Sequence, residues 1–132
     1  MQLKHFPKDL SLEAISASGE QFAYEVFCKV RWPEANGQPI CRKCGCDRVY
    51  SLSTRRIFKC KNCYHQFTPT SGTIFNSRKM SFVQILTMMK YILDKPKGVT
   101  IVELCNEVGF DYKTGFDMMQ KMRKTLEEEA IL

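Results

Sequence analysis

The feature that most constrains this chain is a pair of Cys-x2-Cys motifs. Cys41 and Cys44 form the first motif, Cys60 and Cys63 form the second, and fifteen residues separate them. Each motif lets two thiolates reach one metal ion, and the residues between are enough for a hairpin that returns the chain. Four cysteines close a tetrahedral site, which is typical of a structural zinc ion and not of a catalytic one. The spacing therefore predicts one structural Zn²⁺ bound by these four side chains.

Other roles for the cysteines are less consistent with the sequence. A redox Cys-x2-Cys pair usually lies at the start of a helix that follows a strand in a larger α/β domain, and the sequence around these cysteines predicts no such domain. Disulfides are disfavoured because seven cysteines leave one unpaired. The N-terminus also lacks a secretory signal, which predicts a reducing cytoplasmic location, on the nucleoid in a bacterium. The roles of Cys46 and His65 stay open, whereas Cys28 and Cys105 lie on apolar helical stripes and are predicted to be core.

The positive charge of the chain is concentrated around the cysteines. The 132 residues have a formal net charge of +6, yet residues 41–79 carry nine basic side chains and one acidic. The segments on either side are each slightly acidic. Such clustering is typical of a nucleic-acid contact surface, with an ordinary solvated face as the alternative. We predict phosphate contacts from the basic residues Arg42, Lys43, Arg48, Arg55, Arg56, Lys59 and Lys61.

Turn-forming residues divide the sequence into three predicted domains. Residues 1–39 hold one helix and a linker, residues 40–76 form a zinc ribbon, and residues 77–132 hold three helices. The ribbon is too small to fold by apolar burial alone, so the metal must supply the missing stability. The predicted fold class is small α+β, with an N-terminal helix, a zinc ribbon of short antiparallel strands and a three-helix helix-turn-helix bundle.

Local patterns place the elements of the first two domains. The spacing of Ser18 and Gln21 predicts a helix over residues 19–31, which Trp32-Pro33 ends. Within the ribbon, β-prone residues predict strands at Val49-Tyr50, Ile57-Phe58 and Gln66-Phe67-Thr68. Tyr50, Phe58 and Tyr64 are predicted to be ribbon core, in preference to stacking platforms for single strands.

Helix-start signals recur three times in the last domain. Ser81 with Gln84 predicts a helix to about Asp94, and Thr100 with Glu103 predicts a short helix that Gly109 ends. Asp111 is predicted to cap a third helix, over residues 112–128. Apolar spacing directs four residues of that helix inward: Phe116, Met119, Met122 and Leu126.

A short helix, a tight turn and a longer helix form a helix-turn-helix outline. In that arrangement the third helix lies in a major groove and its outward side chains read bases or bind flanking phosphates. The predicted DNA-contacting residues of this helix are Tyr112, Lys113, Thr114, Gln120, Lys121 and Lys124. Ordinary solvation of these side chains is the alternative.

Three stretches of the sequence resemble the N-terminal region of bacterial insertion-sequence transposases of the DDE type. They are VFCKVRWPEANGQPICRKCG, RRIFKCKNCYHQFTPTSGTIF and FDYKTGFDMMQKMRKTL, within about residues 18–126. They carry the family's signatures in order: Arg31-Trp32-Pro33, Gly72-Thr73-Ile74-Phe75 and Tyr112-Lys113-Thr114. The usual small residue of the recognition helix is here Gly115, which costs up to about 1 kcal/mol in helix propensity.

The resemblance implies a zinc ribbon and helix-turn-helix that bind transposon DNA. Members of the family continue into an RNase H-like catalytic domain, which this sequence does not contain. Glu127, Glu128 and Glu129 adjoin at one helix end and cannot replace carboxylates that converge from separate strands. We therefore expect a DNA-binding protein that is not an enzyme.

The leading prediction is a zinc-dependent, sequence-specific double-stranded DNA-binding protein, working alone or with a separate catalytic or regulatory chain. The alternative is a zinc-ribbon adaptor that docks on a larger nucleic-acid machine. No apolar run approaches the roughly 18 residues of a membrane span. The sequence leaves the DNA site and the oligomeric state open.

Overall fold

The computed structural model describes residues 3–52, 56–76, 80–95 and 98–129. Within these residues the chain forms the helices α1 (Leu12–Arg31), α2 (Phe82–Asp94), α3 (Ile101–Val108) and α4 (Tyr112–Glu128), and the strands β1 (Val49–Ser51), β2 (Phe58–Cys60) and β3 (Gln66–Phe67). Two short 3-10 turns, Leu3–His5 and Pro33–Ala35, flank α1. The predicted small α+β class is confirmed, with one helix before the sheet and three after it. None of the described helices is long and apolar enough to cross a membrane.

The three strands form one antiparallel sheet in the order β1-β2-β3. Tyr50 lies opposite Lys59, and Lys59 lies opposite Gln66. Because side chains alternate along a strand, these three residues share one face of the sheet, while Phe58 and Phe67 share the other. The second face is buried. The predicted ribbon strands are confirmed, with β2 displaced by one residue from the predicted position.

Helix α1 begins earlier than predicted and contains a kink. Its N-cap is Ser11, whose hydroxyl accepts a hydrogen bond from the Ala14 amide at 3.1 Å, and Ile15 in its first part is fully buried. Gly19 has φ 84° and interrupts the helix next to the predicted start. Immediately after the kink, the Glu20 carboxylate accepts the amides of residues 82 and 83 at 3.1 and 3.0 Å. The kink thus lies beside a carboxylate that caps α2.

The predicted starts of α2 and α3 are confirmed. At α2 the Ser81 hydroxyl accepts a hydrogen bond from the Gln84 backbone amide, and the Gln84 side-chain oxygen accepts one from the Ser81 backbone amide. At α3 the Thr100 hydroxyl accepts from the Glu103 amide at 3.2 Å. The Glu103 carboxylate instead accepts from the Tyr91 hydroxyl, so the structure supports only half of this predicted capping box.

The turn before α4 and the helix itself also follow the sequence pattern, with one correction. Gly109 ends α3 in the left-handed conformation, with φ 88°. Asp111 accepts from the Thr114 amide at 3.0 Å, and Thr114 side-chain and backbone bonds lower the pKa of this carboxyl. The prediction that Phe116 faces inward is wrong, because its side chain is 45% exposed. Met118 is fully buried instead. The buried stripe of α4 lies to one side of Phe116 around the helix axis.

Two hydrophobic cores meet along α1. The helical core contains buried residues of all four helices together with Leu3, Phe6, Phe75 and Val99, and the ribbon core contains Cys28, Trp32, Cys41, Phe58, Cys60 and Phe67. Phe27 and Cys28 are neighbours in sequence, yet the first lies in the helical core and the second in the ribbon core. Helix α1 is therefore shared by the two cores. The two boundaries between the three predicted domains stay predictions.

Helices α3 and α4 approach each other closely at one glycine. A Cβ atom at Gly115 would overlap the Cys105 sulfur. The Cys105 thiol, which is half-buried where core was predicted, donates to the Asp111 carbonyl oxygen at 3.4 Å. The helix-propensity cost of Gly115 thus has a packing reason, because only a residue without a side chain fits against this sulfur.

Candidate metal centre and nucleic-acid surface

The first Cys-x2-Cys motif folds into a tight turn, here called the first knuckle. The Gly45 amide donates to the Cys41 carbonyl at 2.8 Å, and the Cys41 amide donates to the Cys46 carbonyl at 3.0 Å. Gly45 has φ 76°, a conformation that costs glycine little. These bonds direct Cys41 and Cys44 toward the same point.

The second motif repeats the arrangement and forms the second knuckle. The Tyr64 amide donates to the Cys60 carbonyl at 3.0 Å, and the Cys60 amide donates to the His65 carbonyl at 3.0 Å. Tyr64 stands where the first knuckle has Gly45 and adopts the same left-handed backbone, with φ 61°. The two knuckles are therefore related by their hydrogen bonds and differ at this position.

The four cysteines of the knuckles converge on one small volume. The sulfur of Cys41 lies 3.5 Å from that of Cys63, and the sulfur of Cys44 lies 3.6 Å from that of Cys60. All four sulfurs lie within 4.8 Å of one another. A tetrahedron with Zn–S bonds of about 2.3 Å has edges of about 3.8 Å, so the cluster has the size of a four-thiolate zinc site. The prediction that these four residues are placed to bind one metal ion is confirmed.

None of the seven cysteines forms a disulfide bond in the structure. The pKa of Cys44 is lowered to about 6, first by a hydrogen bond from the Cys46 backbone and then by the Asn62 side-chain amide. The Cys63 pKa moves the other way: the His65 backbone lowers it, but burial and the neighbouring thiols together raise it to about 12. Hydrogen bonds from neighbouring thiols thus favour one thiolate, such as Cys44, and disfavour ionisation of another, such as Cys63. A cation that binds all four allows all of them to ionise.

The two residues whose roles were open, Cys46 and His65, occupy equivalent places in the knuckles. Neither belongs to the group of four sulfurs. The Cys46 sulfur accepts from the Arg48 amide at 3.4 Å, and the His65 ring stacks on the Phe67 ring at 6.2 Å. Sequence reasoning overlooked Asn62, although its position between the second pair of ligands could have indicated it.

Trp32 joins the metal centre to α1. Its ring meets the rings of Phe58 and Phe67 edge-on, each at 6.3 Å between centroids, and only 5% of its surface is exposed. In the sequence, the signature Arg31-Trp32-Pro33 served as the end of a helix and as part of the family resemblance. In the structure its tryptophan packs the end of α1 against the sheet.

Two arginines connect the ends of the ribbon. The Arg31 guanidinium donates to the Ser71 carbonyl at 3.3 Å, and its pKa is lowered by burial and then by the charge of Arg42. The Arg42 guanidinium lies against Gly72, where a Cβ atom would come within 2.9 Å of it. Gly72 also has φ 78°. The positive φ is therefore the physical reason for glycine at this position of the Gly-Thr-Ile-Phe signature, since the flexible Arg42 side chain could move away from a Cβ atom.

The predicted phosphate-binding cations of the ribbon separate into two groups. Arg42, Lys43, Arg48 and Lys61 are exposed, and Lys59 is half-exposed. Arg56 is partly buried and packs on α1: its guanidinium lies 4.2 Å from the Tyr24 ring centroid and donates to the Gln21 side chain at 3.2 Å. Arg55 lies outside the described residues. The contacts of Arg56 join the ribbon to α1.

The predicted DNA-contacting residues of α4 lie along one exposed side, with two partial exceptions. Tyr112, Lys113, Gln120 and Lys124 are exposed and Thr114 is half-buried. Lys121 forms an ion pair with Asp117 at 3.3 Å. The exposed ring of Phe116 stacks on that of Tyr112 at 6.4 Å.

The ribbon and the α3–α4 turn both contact the first turn of α2. From the ribbon, the Arg56 guanidinium lies 5.4 Å from the Phe82 ring centroid. From α2, the Gln84 side chain donates to the Val108 carbonyl at 3.2 Å, at the last residue of α3. Arg56 of the ribbon and the last residue of α3 therefore contact the same end of α2.

Comparison with known proteins supports the zinc ribbon. Residues 18–66 match the family model of the transposase zinc-ribbon domain. The match runs from the residue before the α1 kink, through Trp32 and both knuckles, to the first residue of β3. Neither a curated protein nor a solved structure gave a significant match. The resemblance predicted from sequence is confirmed for this stretch, and the part of the chain that holds the metal centre is thus similar to the zinc-ribbon domain of transposases.

Proposed function

We propose that this chain is a zinc-dependent, sequence-specific double-stranded DNA-binding protein. The observation that carries the proposal is the closed four-cysteine cluster, which holds exposed cations in place within a stretch similar to a transposase zinc ribbon. Arg42, Lys43 and Arg48 lie on or next to the first knuckle and bind phosphates without regard to sequence. Zinc is required because the ribbon core is small and includes two of the metal ligands, Cys41 and Cys60.

In this proposal α3 and α4 act as a helix-turn-helix. The turn of residues 109–111 is short, α4 is the longer helix, and its exposed side carries Lys113, Gln120 and Lys124. A helix of this kind enters the major groove with its N-terminal residues against base edges. Lys121 contributes less to DNA binding than predicted from sequence, because its ion pair with Asp117 neutralises part of its charge. Position on DNA comes from the ribbon and choice of sequence from α4.

A binding assay on duplex DNA over a series of salt concentrations tests the electrostatic part. With six to nine phosphate contacts, log affinity falls against log salt with a slope of about 5 to 8. Lys43→Ala lowers that slope by about 1 and weakens binding equally on all sequences. Lys8→Ala is the matched control, because Lys8 is equally exposed but lies before α1. A slope near 1 for the unaltered protein contradicts the proposal.

Selection from random duplexes tests the sequence-specific part. We expect the unaltered protein to enrich a defined site and Gln120→Ala to relax one position of it, at a cost of about 1 to 3 kcal/mol in discrimination. Recovery of no preferred site by the unaltered protein would reduce the proposal to non-specific binding.

We propose further that the described domain does not itself cleave DNA and acts in the cytoplasm, alone or with a separate catalytic chain. Incubation of plasmid with the protein and Mg²⁺ or Mn²⁺ tests the first part, and strand cleavage that a Glu127→Gln variant loses would overturn it.

The adaptor function is the second candidate, and one observation favours it. Tyr112 and Phe116 form an exposed aromatic pair on α4, and Val102 of α3 is exposed as well. Exposed aromatic residues are enriched where proteins bind one another. Association with a protein partner that is insensitive to salt and is lost in Phe116→Ser, with no binding to duplex DNA, would favour the adaptor.

A further inference from the structure

One face of the ribbon sheet is open to solvent. It comprises Tyr50, Lys59 and Gln66, which are adjacent across the three strands, together with Lys61 and Tyr64 of the second knuckle. We call these five residues the open ribbon face. The prediction that Tyr50 and Tyr64 belong to the ribbon core is wrong, because their side chains are 38% and 68% exposed, whereas Phe58 is buried as predicted. The alternation of side chains along β1 directs Tyr50 away from Trp32.

The backbone at Tyr64 is a second, independent observation. The equivalent position of the first knuckle is Gly45, and both residues have positive φ, 76° for the glycine and 61° for the tyrosine. A bulky side chain is rare in that conformation because its Cβ is strained. The ring is not needed for packing, since most of its surface is exposed. An aromatic ring that is both strained and exposed indicates a role in binding.

Lysines accompany both rings. The Lys59 ammonium lies 5.6 Å from the centroid of Tyr64, and the Lys61 ammonium lies 5.8 Å from that of Tyr50. Each exposed ring therefore has a cation beside it, on a flexible side chain that can turn to a phosphate. Aromatic rings interspersed with cations on an open sheet are the arrangement by which proteins hold single-stranded nucleic acids.

We propose that the open ribbon face binds unpaired DNA bases, with Tyr64 and Tyr50 as stacking platforms and Lys59 and Lys61 as phosphate contacts. Stacking requires the free face of a base, which a continuous duplex offers only at its ends. The open ribbon face is thus a single-strand site, separate from the duplex contacts of α4. This inference goes beyond the proposed duplex binding and does not depend on it.

Fluorescence anisotropy with labelled oligothymidylate of about 12 nucleotides tests the proposal on the zinc-loaded protein. We expect Tyr64→Leu, which keeps an apolar side chain but removes the ring, to weaken binding about fivefold to a hundredfold. Tyr64→Phe keeps the ring and retains the affinity. Tyr64→Gly also weakens binding, while its melting temperature is unchanged or higher because the backbone strain is relieved.

Tyr64→Gly is expected to lower the affinity for the oligonucleotide without lowering the melting temperature, so this variant separates binding from folding. Equal affinity of Tyr64→Leu, Tyr64→Gly and the unaltered protein for the oligonucleotide overturns the proposal. Loss of affinity in Lys59→Ala but not in Tyr64→Leu also overturns it, since the contact is then electrostatic only.

The matched control is Val102→Ala, because Val102 is similarly exposed but lies on α3. This variant leaves oligothymidylate binding unchanged. Tested on a selected blunt duplex, Tyr112→Leu and Gln120→Ala report on the proposed helix-turn-helix, whereas Tyr64→Leu reports on the open ribbon face. Failure of the single-strand site and failure of duplex recognition are therefore distinguishable.

Discussion

The helical core and the ribbon core share α1, but different interactions hold them together. The helical core consists of packed, buried side chains from four helices. Residues such as Ser81 and Asp111 cap the N-termini of those helices. The ribbon core has six buried residues, three of which are cysteines and two of these metal ligands. Apolar burial is sufficient for the first core, whereas the second needs a metal ion to close it.

The difference shows how a small metal site is built onto a helical protein. Helix α1 gives Phe27 to one core and Cys28 to the other, and Trp32 at its end covers the sheet. The ribbon is thus anchored to a helix that also packs in the helical core. We expect the basic surface around the knuckles to depend on zinc and the exposed side of α4 not to.

Removal of the metal has the largest expected effect on this comparison. Apparent binding energies of structural zinc are about 10 to 16 kcal/mol, so a chelator or Cys60→Ser unfolds the ribbon while much of the helical core survives. Trp32, the only tryptophan of the sequence, reports the change through a red shift of its fluorescence as it becomes exposed. Cys105→Ser is the control and keeps the metal. A metal-free protein with unshifted emission and intact sheet signals in its NMR spectrum contradicts the structural role.

Truncation of one large side chain in each core has the next effect. Trp32→Ala costs about 3 to 5 kcal/mol in the stability of the ribbon and weakens zinc retention, because the sheet loses its cover. Leu126→Ala, at a fully buried site of α4, costs about 2 to 5 kcal/mol in the helical core and leaves zinc affinity unchanged. Urea denaturation with zinc competition measures both quantities. Equal loss of zinc affinity in the two variants would show that the cores fold as one unit.

The contact between α3 and α4 gives the smallest expected effect. Gly115→Ala adds a methyl group where the Cys105 sulfur already lies, and we expect it to destabilise the helical core by about 1 to 3 kcal/mol. Addition of Cys105→Ala removes the clash and recovers the better helix propensity of alanine, worth about 1 kcal/mol. Denaturation midpoints of the two single variants and the double variant form the required cycle. Additive effects in the cycle would refute the proposed contact.

Local patterns predicted much of the fold and of the metal site. The cysteine spacing identified the four ligands, the Ser81–Gln84 pair located the start of α2, and Gly109 with Asp111 located the α3–α4 turn. Each of these features depends on hydrogen bonds or ligands within a few residues of sequence, or on one short hairpin. Such interactions are encoded where they occur, so they can be recognised without knowledge of the fold.

Predictions about individual side chains were less successful where packing partners are distant. The contact of Arg56 with Tyr24, a residue that precedes it by more than thirty positions, was not predicted. Phe116 was expected inside and is exposed. A charged or aromatic residue has the same local pattern whether it packs or faces solvent, and only the neighbouring elements distinguish the two.

The sequence by itself determined most of the elements of this protein: the metal ligands, the starts of α2, α3 and α4, and the concentration of positive charge. The tertiary structure alone decided which surfaces those elements leave open. It assigned α1 to two cores, placed Arg56 over Tyr24, and left Tyr50 and Tyr64 on an exposed sheet face. The physical reason is range: ligation and capping act between near neighbours in sequence, whereas burial of a side chain depends on residues far along the chain that fold against it.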